Sequence, residues 1–249
     1  RIPTILTLSS GRVLVFCEGR RDGLGDSGRI DIMMRAGDGD RFGDMRVVVS
    51  GNGDTVGNPC PVQDRSTGRV FLVYNKNDAD KPEAMIMQGR GPRTVHVIYS
   101  DDEGETWKNI GDFAGHETKG VWTVDNKVIV VTYDTGIYIS EDKGETWTLG
   151  NGNLPISGDG TEATTNSIVV NPDNHDHWIV IYNKCLYTSL DAGKTWEFTC
   201  DNSQFSRVSP QFMEFSAPDK DGHRILYCSI GTIQRNMRYS NDYGKTFNT

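Results

Sequence analysis

What this chain of 249 residues has little of narrows its class. No run approaches the roughly 20 consecutive apolar residues that cross a bilayer as a helix, and no cationic-then-apolar segment of the leader type occurs. Cationic excess is missing too: 26 Lys and Arg stand against 34 Asp and Glu, a net charge of −8. A polyanion needs a concentrated cationic face, so nucleic acid is excluded as a partner. An acidic small ligand would have to be met by a local group of arginines. Cysteine is scarce: Cys17, Cys60, Cys185, Cys200 and Cys228 lack metal-type pairing, and their odd number leaves at least one unpaired within the chain. They read as small core residues. No stretch carries a long helical period with caps, so the chain is expected to be all-β.

What is present is one phrase written four times, Ser-x-Asp-x-Gly-x-Thr-aromatic: Ser100 to Trp107, Ser140 to Trp147, Ser189 to Trp196 and Ser240 to Phe247. A blurred copy lies at Ala36 to Phe42. Each residue type has a mechanical reason. The Asp carboxylate can accept N–H groups one and two residues on, as in an Asx turn, while the hydroxyls brace it. Gly takes the left-handed conformation that ends the turn, and the aromatic opens the next strand. The phrase marks a self-supporting hairpin turn, so its four carboxylates, Asp102, Asp142, Asp191 and Asp242, read as structural.

The phrases start 40, 49 and 51 residues apart, which suits one four-stranded propeller blade per repeat. Runs rich in β-branched and aromatic residues fit the strands: Val95 to Tyr99, Val128 to Tyr133, Trp178 to Tyr182 and Ile225 to Cys228. At roughly 45 residues per blade, residues 1–249 form a single domain of five blades or most of six. The last phrase should introduce another strand. Either Arg1 to Leu6 closes the last blade or the chain is part of a longer protein, and the second is favoured.

Near the start, a strand from Arg12 to Glu18 leads into Gly19 to Gly28, a loop rich in Gly, Arg and Asp, and then into a strand at Ile30. Charged groups on a loop between two buried strands make a candidate site, with a solvated surface loop as the plain alternative. The strand Arg1-Ile2-Pro3, the loop Asp26-x-Gly28-x-Ile30-Asp31 and the repeated phrases together resemble the exo-sialidases (neuraminidases) with Asp-box repeats. Val56 to Val62, Thr67 to Tyr74 and Arg93 to Val97 add to the likeness, which is specific to about Trp107; beyond it the boxes alone persist.

That resemblance implies an all-β propeller of the sialidase type and a set of site residues. Arg1 takes the place of one of three arginines that grip the substrate carboxylate, a task suited to the planar guanidinium. Asp26 matches the acid/base that protonates the departing glycosidic oxygen. Arg20 matches an arginine near the sugar O4 hydroxyl, with Arg21 as its rival. Glu162 matches the glutamate that activates a nucleophilic tyrosine. Arg235 matches the third carboxylate-gripping arginine, with Arg238 as second choice. Two positions depart from the pattern. Before the Ser189 box only Lys184 could replace the middle arginine, and it lacks the two-pronged geometry. No tyrosine matches the nucleophile, since Tyr239 and Tyr243 fall in strand and box positions.

The implied chemistry is coherent. An anionic nucleophile about 4 Å from the sugar carboxylate would meet repulsion on the order of 4 kcal/mol at an effective dielectric of about 20. A neutral tyrosine avoids it, which sets sialidases apart from the two-carboxylate scheme. The resemblance therefore implies a retaining exo-α-sialidase acting on sialylated glycoproteins, glycolipids or oligosaccharides, without cofactor or metal. The alternative is a catalytically inactive propeller of the same type that binds glycan or protein. His175 and His177 share a strand face but lack the further ligands a zinc site wants, and Asp38-Gly39-Asp40 fits a broken box better than a calcium loop. The compartment stays open, with a secreted or lysosomal location favoured over a cytoplasmic one.

Overall fold

The computed structural model describes residues 2–86, 88–113, 118–132, 135–155, 165–205, 210–230 and 236–248. They form strands almost throughout. The first sheet contains β1 (Thr4–Thr7), β2 (Arg12–Arg20), β3 (Ile30–Asp38) and, paired to β3, the short β4 (Arg41–Phe42) and β5 (Arg46–Val49). One parallel bridge, Ile30 to Thr55, joins β3 to β6 (Thr55–Gln63). From there β7 (Val70–Asn77), β8 (Arg93–Ser100) and β9 (Lys108–Phe113) continue the same sheet, and one turn of helix, α1 (Glu83–Ile86), lies between β7 and β8. Two four-stranded sheets follow: β10 (Thr118–Val124), β11 (Lys127–Thr132), β12 (Gly136–Ser140) and β13 (Thr148–Leu149), then β14 (Thr165–Asn171), β15 (Asn174–Tyr182), β16 (Cys185–Ser189) and β17 (Glu197–Cys200). The last sheet has β18 (Pro210–Phe215), β19 (Leu226–Ile230) and β20 (Asn236–Ser240).

The chain divides into two compact units, residues 1–130 with 140–147 and residues 131–139 with 148–249. In the first, alternate residues of β2 turn inward, so Leu14 and Phe16 are fully buried and pack with Ile32, Met34, Val70 and Leu72. In the second, Ile179, Ile181 and Leu186 pack with Phe205, Met213 and Leu226. Cys200 and Cys228 are buried, with burial pushing both thiols up to about 12, while the other cysteines are half-buried and none is bridged.

The boxes occupy the turns that follow β8, β12, β16 and β20, the last three being the third strands of their sheets. Its bonding differs from a simple Asx turn, because the carboxylate reaches four residues on. The Thr N–H donates to Asp Oδ1 at 2.8 to 2.9 Å and the Thr hydroxyl to Oδ2 at 2.5 to 2.6 Å in all four copies. The buried Ser hydroxyl donates to the same Asp and accepts the Gly N–H at 2.7 to 2.9 Å. Glycine is required twice over. Gly193 has φ +85°, and a methyl there would come within 2.8 Å of Trp178. The residue before each box glycine also has positive φ, from +55° at Glu103 to +62° at Lys143. A side chain in that conformation costs roughly 1 kcal/mol, which the carboxylate bonds offset. The blurred copy at Ala36 to Phe42 is instead a plain hairpin in which Asp38 pairs with Arg41 around Gly39 and Asp40.

Thr hydroxyl and N–H donors pull the Asp142 and Asp191 carboxyls down to about 2, and Asp102 is lowered by the same bonds. Unfolded carboxylates titrate near 3.9, so on acidification protons bind the unfolded chain first. The boxes therefore stabilise the fold fully above about pH 4 and lose that contribution towards about pH 2. A thermal-unfolding midpoint that falls through this window, and falls less steeply in Asp191→Asn, is expected; a midpoint independent of pH there overturns the assignment.

Candidate active site

Extending the inward face of β2 beyond Phe16 gives Glu18 and then Arg20, so a strand that starts in the core ends in charge. Both side chains are almost fully buried, at 5% and 6% exposure. Two such groups persist in a low-dielectric setting only if their bonds are filled. Arg20 Nε and Nη2 donate to Glu18 Oε2 at 2.9 and 2.6 Å, Nη1 donates to the carbonyls of Leu24 and Gly25 at 2.7 and 2.8 Å, and Nη2 meets Asp26 Oδ1 at 2.6 Å. Burial works against the Arg20 charge; the bonds to Glu18 and Asp26 outweigh it and raise its pKa. One guanidinium thus folds the loop back and fixes the acid at its tip.

Glu18 is held from the other side. Its Oε1 accepts the Asn58 N–H at 3.1 Å, and a methyl on Gly57 would lie 2.5 Å from that oxygen, so Gly57 is what lets β6 approach. Asn58 has φ +54°, at the register break of the strand.

Asp26 stands at the mouth of a cleft of about 380 Å3. Its lining includes Glu18, Arg20, Gly57, Asn77, Glu83 and Arg93, with Ile2. Strand register explains the convergence: Arg20 pairs with Ile30, Ile30 with Thr55, Thr55 with Asn77 and Asn77 with Arg93, one row across five strands. The Asp26 carboxyl is 73% exposed, so a ligand can reach it.

The structure separates the two rival arginines. Arg20 lines the cleft, whereas Arg21 bonds Asp31 through Nε at 2.7 Å and Nη2 at 2.5 Å. Arg20 does not present a loose guanidinium, because all its donor directions are filled by the loop and Glu18. Arg1, Glu162 and Arg235 lie outside the described residues, although Ile2, next to Arg1 in sequence, lines the cleft. Lys184 is exposed at the second position of a two-residue hairpin turn with φ +66°. Arg238 and Tyr239 lie in β20, and Tyr243 in the box that follows.

Sequence reasoning passed over Glu18, Glu83 and Arg93. For Glu18 and Arg93 a signal existed: the period-two pattern that buries Leu14, Phe16, Val95 and Val97 runs on to both. Glu83 sits in a connection with no such pattern.

Elsewhere, a cavity of about 620 Å3 in the second unit is lined by Phe198, Tyr243 and Leu190, but its Asp191 is committed to the box. His177 lies there too, where burial lowers its pKa, and its Nδ1 is 3.2 Å from the Asn171 amide nitrogen, so the histidine acts as a packed strand residue. Among the described residues Asp219, Asp221 and His223 form the one cluster with metal-ligand spacing; all are exposed, and Asp219 Oδ1 already accepts two backbone N–H groups. No described helix is long and apolar enough to cross a membrane.

Comparison with known proteins bears on the repeats and the fold. Residues 98–109 match the model of the BNR/Asp-box repeat. A curated sialidase of Paraclostridium sordellii is 25% identical over 92% of this chain and 66% of its own length. A sialidase of Clostridium perfringens is 29% identical over 79% of this chain and 60% of its own. The chain thus spans less than two thirds of these relatives. Among solved structures, a K499G mutant of the NanB sialidase of Streptococcus pneumoniae superposes with a TM-score of 0.67 at 15% identity, covering all of this chain and 60% of that one, a likeness of fold. The chain thus carries the BNR/Asp-box repeat and is similar over most of its length to these sialidases.

Proposed function

We propose that the protein is a retaining exo-α-sialidase that releases terminal sialic acid from glycoproteins, glycolipids or oligosaccharides. The observation that carries the reading is the Glu18–Arg20–Asp26 arrangement, which holds a solvent-accessible carboxyl at the mouth of a cleft. Asp26 protonates the departing glycosidic oxygen as the bond to the anomeric carbon breaks, and then takes a proton from the water that attacks that carbon. Arg1 and Arg235 hold the sugar carboxylate, and Glu162 takes the phenolic proton of a tyrosine nucleophile. Arg20 and Glu18 are positioning residues: they act on the reaction through the place they give Asp26.

The test separates catalysis from binding. Asp26→Asn is expected to lower kcat about 10²- to 10⁴-fold on a sialyl-oligosaccharide, and far less on an aryl α-sialoside, whose leaving group needs little protonation. Equal loss on both substrates, or none, removes Asp26 from the acid role. Saturable sialic-acid binding by the wild-type protein without turnover supports the non-catalytic reading instead.

Glu18→Gln keeps the shape and removes the charge beneath Arg20. Here kcat on the sialyl-oligosaccharide is expected to fall with KM nearly unchanged, in protein whose unfolding midpoint shows that it is folded. A variant with wild-type kcat would show that the buried carboxylate serves the fold alone.

A further inference from the structure

Two boxes of the second unit break the pattern of the others at their free positions. The first free position holds Asp101, Glu141 and Asn241 in three boxes but Leu190 in the fourth; the second holds Glu103, Lys143 and Ala192 but Tyr243 in the last. Leu190 leaves 67% of its surface in water, and Tyr243 carries a bulky ring at φ +56° with 44% exposed. Neither side chain serves its turn, whose bonds come from Ser, Asp and Thr. Both line the cavity of about 620 Å3, together with Phe198, which is 59% exposed on β17. A space of that size suits one small ligand.

The polar groups of this lining are set by their neighbours. His177 is 8% exposed. Asn171 Oδ1 accepts the Asp173 N–H at 3.0 Å, which turns the Asn171 amide nitrogen to His177 Nδ1 at 3.2 Å. Nδ1 is thereby the acceptor, and a neutral imidazole then carries its proton on Nε2. Burial, and after it Lys245, lower the His177 pKa, so the ring is neutral at neutral pH. Among the described residues Nε2 has no hydrogen-bond partner, so packing uses one side of the ring and leaves a donor on the other. Glu197 adds an acceptor and Lys245 a donor, both exposed. An anion would be drawn by Lys245 and repelled by Glu197, and a cation the reverse, so the pair selects no net charge. A purely apolar group would strip water from the His177 N–H and return no bond. The rings of Phe198 and Tyr243, in turn, favour an apolar face laid over them. A pyranose meets all these conditions: it is neutral, has a C–H face, and carries hydroxyls, each both donor and acceptor, around its rim.

We propose that this cavity binds a neutral pyranose unit of a glycan, at a site that shares no residue with the cleft. The apolar face of the sugar lies on Phe198 and Tyr243, and a hydroxyl oxygen accepts the His177 Nε2–H. The site goes beyond the glycosidase reading and stands without it. Saturation-transfer NMR with methyl β-D-galactopyranoside and methyl β-D-glucopyranoside tests it. At least one is expected to bind wild-type protein saturably with roughly millimolar affinity, and a 2,3-unsaturated sialic-acid analogue is expected not to displace it. Phe198→Ala removes an exposed ring and is expected to weaken pyranoside binding about tenfold, leaving binding of the sialic-acid analogue unchanged. His177→Phe, checked for folding by its thermal midpoint, is expected to weaken it about two- to tenfold, and His177→Gln, whose amide donates, to weaken it less. Absence of binding by both pyranosides, displacement by the sialic-acid analogue, or full affinity in Phe198→Ala overturns the site. Binding of N-acetyl-tyrosine amide in place of either pyranoside also overturns it and marks a peptide surface instead. None of these failures touches the role of Asp26 in the cleft.

Discussion

A buried carboxylate beneath a buried guanidinium is the constraint on which the rest of the candidate site depends. Removing one partner of such a pair strands a charge at a cost of about 3 to 5 kcal/mol, a large share of the roughly 5 to 15 kcal/mol that holds a domain together. Glu18 and Arg20 must therefore be kept as a unit, with every remaining bond filled. Most of the bonds that fill them come from the loop, through the carbonyls of Leu24 and Gly25 and the Asp26 carboxylate, and one from β6, the Asn58 N–H. Satisfying a buried charge and placing the acid are one act. This is why a loop rich in Gly and Asp can hold a defined conformation at the end of a strand.

The boxes solve a different problem by similar means. Each closes a turn in which two successive residues adopt positive φ, and the carboxylate, Ser and Thr bonds compensate that strain within eight residues. Since each turn stabilises itself, it makes little demand on neighbouring sequence. In β2 and β8, ahead of the first box, the core-facing row ends in charged groups, Arg20 and Arg93.

This division explains what the sequence disclosed. Box positions, the all-β class and most strands were legible, because hydroxyl, carboxylate and glycine at fixed spacing leave few conformations. The reach of Asp102 to Thr106 was not, since an Asx turn and the observed one use the same residue types. Arg20 and Asp26 each took a role through the resemblance, but their ion pair and the choice between Arg20 and Arg21 were not legible. The choice needed the strand register, which sends Arg20 to the inner face and Arg21 to Asp31. Arg93 entered the likeness but not the set of site residues, because it lies 67 residues from Asp26 in sequence and meets the cleft through four strand pairings.

The same register sets how far the two ends of the cleft are coupled. Backbone pairing fixes Arg20 and Arg93 at opposite ends of one row, so substitutions at one end leave the other in place. The acid end is tightly committed, since Arg20 has no donor to spare and Glu18 no room beside Gly57. At the other end Glu83 is half exposed, in a connection with one turn of helix. Exchange of Arg93 leaves a Glu83 that water can solvate, whereas exchange of Glu83 leaves the nearly buried Arg93 without its carboxylate. A tightly bonded end and a more open end follow from where the core stops along each strand.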